Sequence, residues 1–248
     1  MATSISTPDR AGSDEVVVRA DALGGRTVVR TLAGVQPWHP RVLTRRASYA
    51  VVALVATRAT LIAGDEIGLS VTVGAGAALE LVDIGATVAH DVRSGPVATI
   101  GVALMVEPGG SLVWCGRPLI AAAGCHARRE VIADVGPGGR LLLGDTIVLG
   151  RAREQPGTII ARTRVTYDGI PLLDETLDTG DLATTSSPVV MNRSRQMLSL
   201  ALAGVIDEDA PPGSMRAHGP GMLWRALEPR EHADTSVAAR WRSLVLRG

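Results

Sequence analysis

Residues 112–131 contain both cysteines of the chain and one of its histidines. Cys115, Cys125 and His126 can ligate a divalent transition-metal ion, since thiolate and imidazole are suitable ligands for such ions. The stretch is also typical of strand, turn and strand. In an extended strand Cys125 and His126 point to opposite faces, so a site that uses both requires a bend. Buried cysteine more often packs as a small apolar residue, and we expect the two thiols to be packed.

Four acidic residues lie beside apolar runs and form a second candidate site: Asp65, Asp83, Asp145 and Glu175. A carboxylate that enters an apolar layer is costly unless it is hydrated, paired or bound to a cation. A bound cation is therefore one explanation of this pattern. The alternative is that these carboxylates accept hydrogen bonds at turns, as aspartate often does.

Short β-branched runs separated by Gly, Pro and Asp predict the strands that must position these residues. The runs are EVVVRA (15–20), TVVRTL (27–32), YAVVALVA (49–56), LSVTV (69–73), REVIADV (129–135) and TIIARTRVTY (158–167). No stretch between them has a helical period of useful length. We therefore expect residues 15–187 to form an all-β domain.

A repeat within this region predicts how the strands are arranged. Copies begin at Val73, Val106 and Val135, and each has a Gly-rich turn followed by Leu at the seventh position. Their spacing of about thirty residues is typical of stacked units, although V-x-x-G-G is also common hairpin chemistry. Asp83 and Asp145 occupy the same position of two copies, with Gly116 at the intervening strand. If the copies stack, these carboxylates lie roughly 10 Å apart.

The chain ends are expected to differ from the β domain. Residues 1–14 are polar and predict a flexible tail without a signal-peptide core. Residues 188–248 predict a segment of helices and loops packed on the same domain. A first helix is expected from an N-cap at Ser187 to a stop at Gly204, residues 222–227 predict a strand, and 233–248 predict a second helix. The expected fold is thus mainly β, a two-layered, twisted, β-helix-like stack with two C-terminal helices.

Composition and motifs exclude several classes of function. The 25 Lys and Arg residues balance 25 Asp and Glu residues, and no basic stripe indicates nucleic-acid binding. No apolar run reaches the length of a membrane span. Two cysteines are too few for a disulfide framework, which favours a reduced, cytoplasmic protein. No G-x-S-x-G, H-E-x-x-H or P-loop motif is present, and the five histidines are scattered.

Five motifs in order resemble the urease accessory protein UreD (UreH) family. They are VQPWHP (35–40), LIAGDEIGLSVTVGAGAALELVDIGAT (61–87), LVWCGRPLIAAAG (112–124), LLLGDTIVLGR (141–151) and DGIPLLDETL (168–177). The resemblance implies a cytoplasmic, non-catalytic scaffold that docks on apo-urease together with UreF and UreG. In that family UreG hydrolyses GTP and releases Ni²⁺, which passes through UreF and UreD to the urease site.

The resemblance also implies roles for particular residues. Asp65, Asp145 and Glu175 match acidic residues of the internal route, whereas Cys115, Cys125 and His126 are not shared ligands of the family. Nickel is then a transient cargo, and no cofactor is bound permanently. By analogy, UreF is expected to cover the arginine-bearing and apolar faces of the two predicted C-terminal helices.

A function from another class stays open at this point: a β-solenoid enzyme or a carbohydrate-binding module. A carbohydrate site needs exposed aromatic rings, and an aromatic content of 2% argues against it. An enzyme needs a convergent acid–base pair, which the sequence does not reveal.

Overall fold

The β-branched runs are strands in the computed structural model, which describes residues 15–34, 36–45, 48–227 and 234–246. The tail expected at residues 1–14 lies outside these described residues. Within them the strands form two sheets and are joined by glycine turns. No helix in the described ranges is long and apolar enough to cross a membrane.

In the described part of the chain, the first sheet has seven strands and the second has eleven. The first sheet consists of β1 (Glu15–Leu23), β2 (Arg26–Ala33), β6 (Glu66–Val73), β9 (Ala98–Val106), β12 (His126–Val135), β14 (Thr158–Tyr167) and β15 (Ile170–Asp178). The second sheet consists of β3 (Trp38–Arg45), β4 (Ala50–Ala56), β5 (Thr60–Leu61), β7 (Ala78–Asp83), β8 (Thr87–Ala89), β10 (Ser111–Cys115), β11 (Leu119–Ala121), β13 (Arg140–Leu149), β16 (Gln196–Ala203), β17 (Met215–Arg216) and β18 (Gly221–Leu227). The helices are α1 (Leu182–Ser186) and α2 (Asp234–Leu246).

The predicted repeat stacks as parallel strands. In the first sheet Val106 is in register with both Val73 and Val135, and in the second Leu112 is in register with both Leu79 and Leu141. The turn glycines Gly76, Gly109 and Gly138 have φ values of 67°, 70° and 69°, a left-handed conformation that glycine adopts without a Cβ penalty. The β-helix-like stack that the spacing predicts is therefore confirmed.

The strand order brings the chain back and forth between the two layers. The first sheet runs β15-β14-β12-β9-β6-β1-β2, and its strands β1, β6, β9, β12 and β14 are parallel neighbours. The main path of the second sheet runs β17-β18-β16-β13-β10-β7-β4-β3. Its strands β4, β7, β10 and β13 are parallel, and β16 joins them antiparallel to β13.

Two apolar cores hold the layers together. The inner core lies between the sheets and includes Val18, Leu69, Val102, Leu112, Leu141 and Val165. The outer core lies between the second sheet and α2 and consists of Val113, Leu142, Leu200, Leu202, Met222, Trp224, Val237, Trp241, Val245 and Leu246. The second sheet is therefore covered on both faces.

The expectation of a helix from Ser187 to Gly204 is wrong. Ser187 begins a turn, in which its hydroxyl accepts a hydrogen bond from the backbone N–H of Val189, and residues 196–203 form strand β16. Both faces of this strand meet a core: Met197 and Ala201 belong to the inner core, and Leu200 to the outer core. A strand that is apolar on both faces lacks the alternation that separates strand from helix. The helix predicted at 233–248 is confirmed as α2, and the strand at 222–227 as β18.

Candidate functional site

A row of polar side chains crosses the layer between the two sheets. In the second sheet Asp145, Ser199 and Arg225 are in register on neighbouring strands β13, β16 and β18. They lie on the inner face, because residues two positions away along the strands, such as Leu143 and Ala201, belong to the inner core. We call six residues the inner polar row: Asp83, Arg129, Asp145, Glu175, Ser199 and Arg225.

The first sheet supplies two members of the row from the opposite side. Arg129 lies on β12 between Ala127 and Val131, which are inner-core residues. Glu175 lies on β15 between Leu173 and Leu177, which pack against the same core. Since alternate residues of a strand face the same side, Arg129 and Glu175 both point between the sheets.

Asp145 and Arg129 form an ion pair at the middle of the row. The Arg129 side chain is 9% exposed and that of Asp145 is 16% exposed. The guanidinium carbon of Arg129 also lies 5.9 Å from the ring centroid of Trp114, within cation–π range. Asp145 is therefore neutralised by an arginine that the surrounding core holds in place.

Asp83 lies at the end of β7 and is held by hydrogen bonds instead of an ion pair. The indole Nε1–H of Trp114 and the backbone N–H of Arg117 each donate to its carboxylate at 3.0 Å. Burial raises the pKa of Asp83 above its ordinary value, while these two hydrogen bonds oppose the rise. Trp114 thus connects Asp83 to Arg129, and through it to Asp145.

Gly116 lies between the two aspartates, as the repeat predicts. Its backbone N–H donates to the carbonyl of Gly144, the residue before Asp145, at 3.0 Å. A Cβ placed on Gly116 would lie 3.4 Å from Asp83 Oδ2. Glycine at this position therefore places no side chain against the Asp83 carboxylate.

Glu175 and Arg225 form the more exposed end of the row. Arg225 donates two hydrogen bonds to the Glu175 carboxylate, at 2.7 and 2.5 Å, and a third to Ser199 Oγ at 3.0 Å. The side chains of Arg225 and Glu175 are 29% and 32% exposed. This pair is therefore more exposed than the pair of Asp145 and Arg129.

A cavity of about 220 Å³ lies against this end of the row. Its wall includes Asp145, Glu175, Ser199 and Arg225, and much of the remaining lining is apolar. Val189, also in the wall, is 92% exposed, which places one side of the cavity at the protein surface. Two of the acidic residues that the sequence singles out therefore line a cavity at the protein surface.

The structure does not bring Asp65 into the row. Asp65 lies in the turn before β6, accepts a hydrogen bond from the backbone N–H of Ile62 at 2.8 Å, and pairs with Arg58 at 2.9 Å. These contacts correspond to the alternative reading, in which an aspartate at a strand end stabilises a turn.

The cysteines are packed, and the neighbouring histidine points away from them. Cys125 is buried and His126 is exposed, because successive residues of extended backbone face opposite sides. Cys115 is partly buried against the outer core. Burial raises the pKa of Cys115 to about 12 and that of Cys125 to about 11. Across the part of the chain that the structure describes, no three His, Cys, Asp or Glu side chains are grouped as metal ligands.

These thiol pKa values lead to a prediction of low reactivity. At pH 8 we expect Cys125 to be alkylated about a hundredfold more slowly in the folded protein than in the unfolded chain, because alkylation requires the thiolate. Any stability that the buried thiol contributes is fully present below its ordinary pKa of 9.0 and is lost as the pH rises towards about 11. Labelling with iodoacetamide followed by mass spectrometry measures the ratio, and equal rates in the two states would contradict the packing described above.

Sequence reasoning missed three members of the row: Arg129, Ser199 and Arg225. A signal for the arginines exists, since each stands two residues from an apolar residue on either side of it within a strand. Such a position faces the core, and a charge there indicates a buried partner. Ser199 likewise stands between Met197 and Ala201, but Leu198 and Leu200 are apolar too, so the sequence does not show which face of this segment is the inner one.

The sequence as a whole is similar to known proteins of one family. The model of the UreD urease accessory protein family matches residues 12–247. Urease accessory protein UreD 1 of Streptomyces griseus subsp. griseus is 37% identical over 237 residues, which cover 92% of this chain and 91% of the relative. Urease accessory protein UreD 2 of Saccharopolyspora erythraea is 32% identical and covers 83% of this chain and 75% of its own length. The chain belongs to the UreD family of urease accessory proteins.

Proposed function

We propose that this protein is a non-catalytic scaffold of urease maturation that passes Ni²⁺ along the inner polar row. Membership of the family supports the accessory role. The observation that carries the nickel role is a line of polar side chains through an apolar layer, with a cavity against its exposed end. An apolar core gains nothing from such a line for stability alone, since buried ion pairs are often no better than apolar residues of similar size.

The charges of the row suit a cation that stays only briefly. Asp83, Asp145 and Glu175 carry three acidic groups, and Arg129 and Arg225 carry two guanidinium groups, so the row has one acidic group in excess. Carboxylate and hydroxyl oxygens are hard ligands, and a transition-metal ion bound by them alone is held weakly. An ion that enters beside Glu175 therefore meets oxygen ligands that attract it without trapping it.

The partners follow from the same proposal. The chain acts in the cytoplasm in a complex with UreF, UreG and apo-urease, and the nickel ion is its cargo, not a resident cofactor. Formation of this complex is measured by co-purification. Urease subunits and the two accessory proteins should be recovered with this chain from cells that express all of them.

Replacing Glu175 with glutamine tests the route. Removing one negative charge raises the energy of a nearby cation by roughly 1 kcal/mol, so nickel delivery should fall about fivefold. The measurement is the nickel content of urease purified from cells that express the variant, in the first minutes after nickel is added. The accessory complex should still form, because glutamine keeps the size of the side chain.

Asp174→Asn is the matched control. Asp174 precedes Glu175 on the same strand, points to the outer surface, and pairs there with Arg162 at 3.0 Å. We expect this variant to load nickel as the wild type does. Normal nickel delivery by the Glu175 variant, or an equal loss in the control, would rule out a route along the inner polar row.

A further inference from the structure

The two arginines of the row differ in how firmly they are held. Arg129 lies on β12, between β9 and β14, and the ring of Trp114 lies against its guanidinium group. Arg225 lies on β18 near the rim of the second sheet, where β17 pairs with β18 only at Met222 and Leu223 among the described residues. The first arginine is enclosed by its neighbours, whereas the second is at the border of the molecule.

The two ion pairs also differ in how readily they can separate. The partner of Arg129 is the 16%-exposed Asp145, so separating that pair leaves two charges away from water. The Arg225 and Glu175 side chains are about a third exposed, so water can hydrate both when they separate. Arg225 also occupies both oxygens of Glu175, at 2.7 and 2.5 Å. A metal ion cannot bind those oxygens while the guanidinium group stays there.

We propose that Arg225 is a displaceable counter-ion of Glu175, which closes the exposed end of the row when no ion is present and gives way to an incoming Ni²⁺. The proposal rests on the proposed function and specifies how the route is controlled. The exchange replaces one cation by another, so no uncompensated charge is created inside the protein. When Arg225 leaves Glu175 it can turn towards solvent, where water replaces the hydrogen bonds that it gives up. Arg129 does not exchange and keeps Asp145 neutral.

Calorimetric titration of the full-length chain with Ni²⁺ alone tests the exchange. In Arg225→Gln the competing cation is gone, and the dissociation constant for Ni²⁺ should fall about fivefold, as expected for the loss of a partly exposed competing pair. The gain should disappear in the double variant Arg225→Gln/Glu175→Gln. Arg162→Gln is the matched control, because it frees the exposed Asp174 on the outer surface of β15, the strand that carries Glu175, and should leave the dissociation constant unchanged.

Folding of each variant is checked by circular dichroism. If Arg225→Gln does not fold, Arg225→Lys serves instead, with a smaller gain that again requires Glu175, because lysine keeps the positive charge but lacks the second nitrogen that donates to Ser199. A dissociation constant equal to that of the wild type, or a gain that persists without Glu175, overturns the exchange. The titration tests the exchange alone. The route is tested separately by the nickel content of urease, and a normal content in Glu175→Gln overturns the route whatever the titration shows.

Discussion

Replacing Asp145 with alanine should lower the free energy of unfolding by about 3–5 kcal/mol, because it leaves a buried arginine without its partner. The Arg129 side chain is 9% exposed and pairs with Asp145. Neither water nor the ring of Trp114 can replace a full negative charge at that place. Chemical denaturation of the purified chain, followed by fluorescence or circular dichroism, measures the loss.

A double variant shows whether the loss of stability comes from the unpaired charge of Arg129 or from the loss of the ion pair itself. Arg129→Met/Asp145→Leu removes both charges and fills the space with apolar groups, and we expect it to recover most of the lost stability. Asp174→Ala breaks the exposed pair with Arg162, whose side chains are each 44% exposed, and should leave stability nearly unchanged. A cost for Asp145→Ala as small as that of the exposed pair would mean that Asp145 and Arg129 are hydrated in solution.

The difference in burial between the two ion pairs distinguishes Asp145 from Glu175, although the sequence marks both as candidate site residues. The proposed route includes both Asp145 and Glu175, but only Glu175 has a partner that reaches solvent. A loss of nickel delivery in an Asp145 variant therefore has a folding component, whereas a loss in a Glu175 variant does not. Glu175 is the better residue for testing the route.

The fold could be predicted where the sequence pattern repeats and not where both faces of a strand are buried. The copies at Val73, Val106 and Val135 carry the same turn glycine and the same leucine, and the strands stack accordingly. Residues 196–203 carry apolar side chains towards the inner and outer cores. Their strand conformation depends on α2 covering the outer face, a tertiary contact that no local pattern reveals.

The candidate site could be predicted only in part, for a related reason. The acidic members Asp83 and Asp145 are visible from the repeat, because equivalent positions of stacked copies must be neighbours. Arg129 reaches Asp145 from the opposite sheet, and Arg225 reaches Glu175 in the same way, so both pairs depend on how the two sheets face each other. Asp65 follows a glycine after an apolar run, as Asp145 does, but lies in a turn outside the row.

Replacing Trp241 with alanine should cost about 3–5 kcal/mol of stability, since it empties the centre of the outer core. Trp241 is 0% exposed, and its Nε1–H donates to Asp207 Oδ2 at 3.1 Å. Val237 and Val245 lie one turn to either side of it on α2 and belong to the same core. Thermal or chemical unfolding of the full-length chain measures the effect.

Two further substitutions identify the cause of that loss. Trp241→Phe keeps an aromatic ring in the core but removes the indole N–H donor, and should cost about 1–2 kcal/mol, because Asp207 keeps its ion pair with Arg240. Ala239→Gln on the exposed side of α2 should change stability by less than about 0.5 kcal/mol. A small effect of Trp241→Ala would mean that α2 does not pack on the sheet in solution.

The packing of α2 also decides which of its faces is free for a partner. The expectation that UreF covers the apolar face of this helix is incompatible with the outer core, in which Trp241 and Val245 lie against Leu142 and Leu200 of the second sheet. Arg242 is likewise engaged, since it pairs with Glu80 at 2.6 Å. Deleting residues 234–246 would expose the outer face of the sheet, so lost binding after deletion would not identify a contact surface. If UreF binds here, it must use the exposed side of α2, and Ala239→Gln should weaken co-purification without lowering stability.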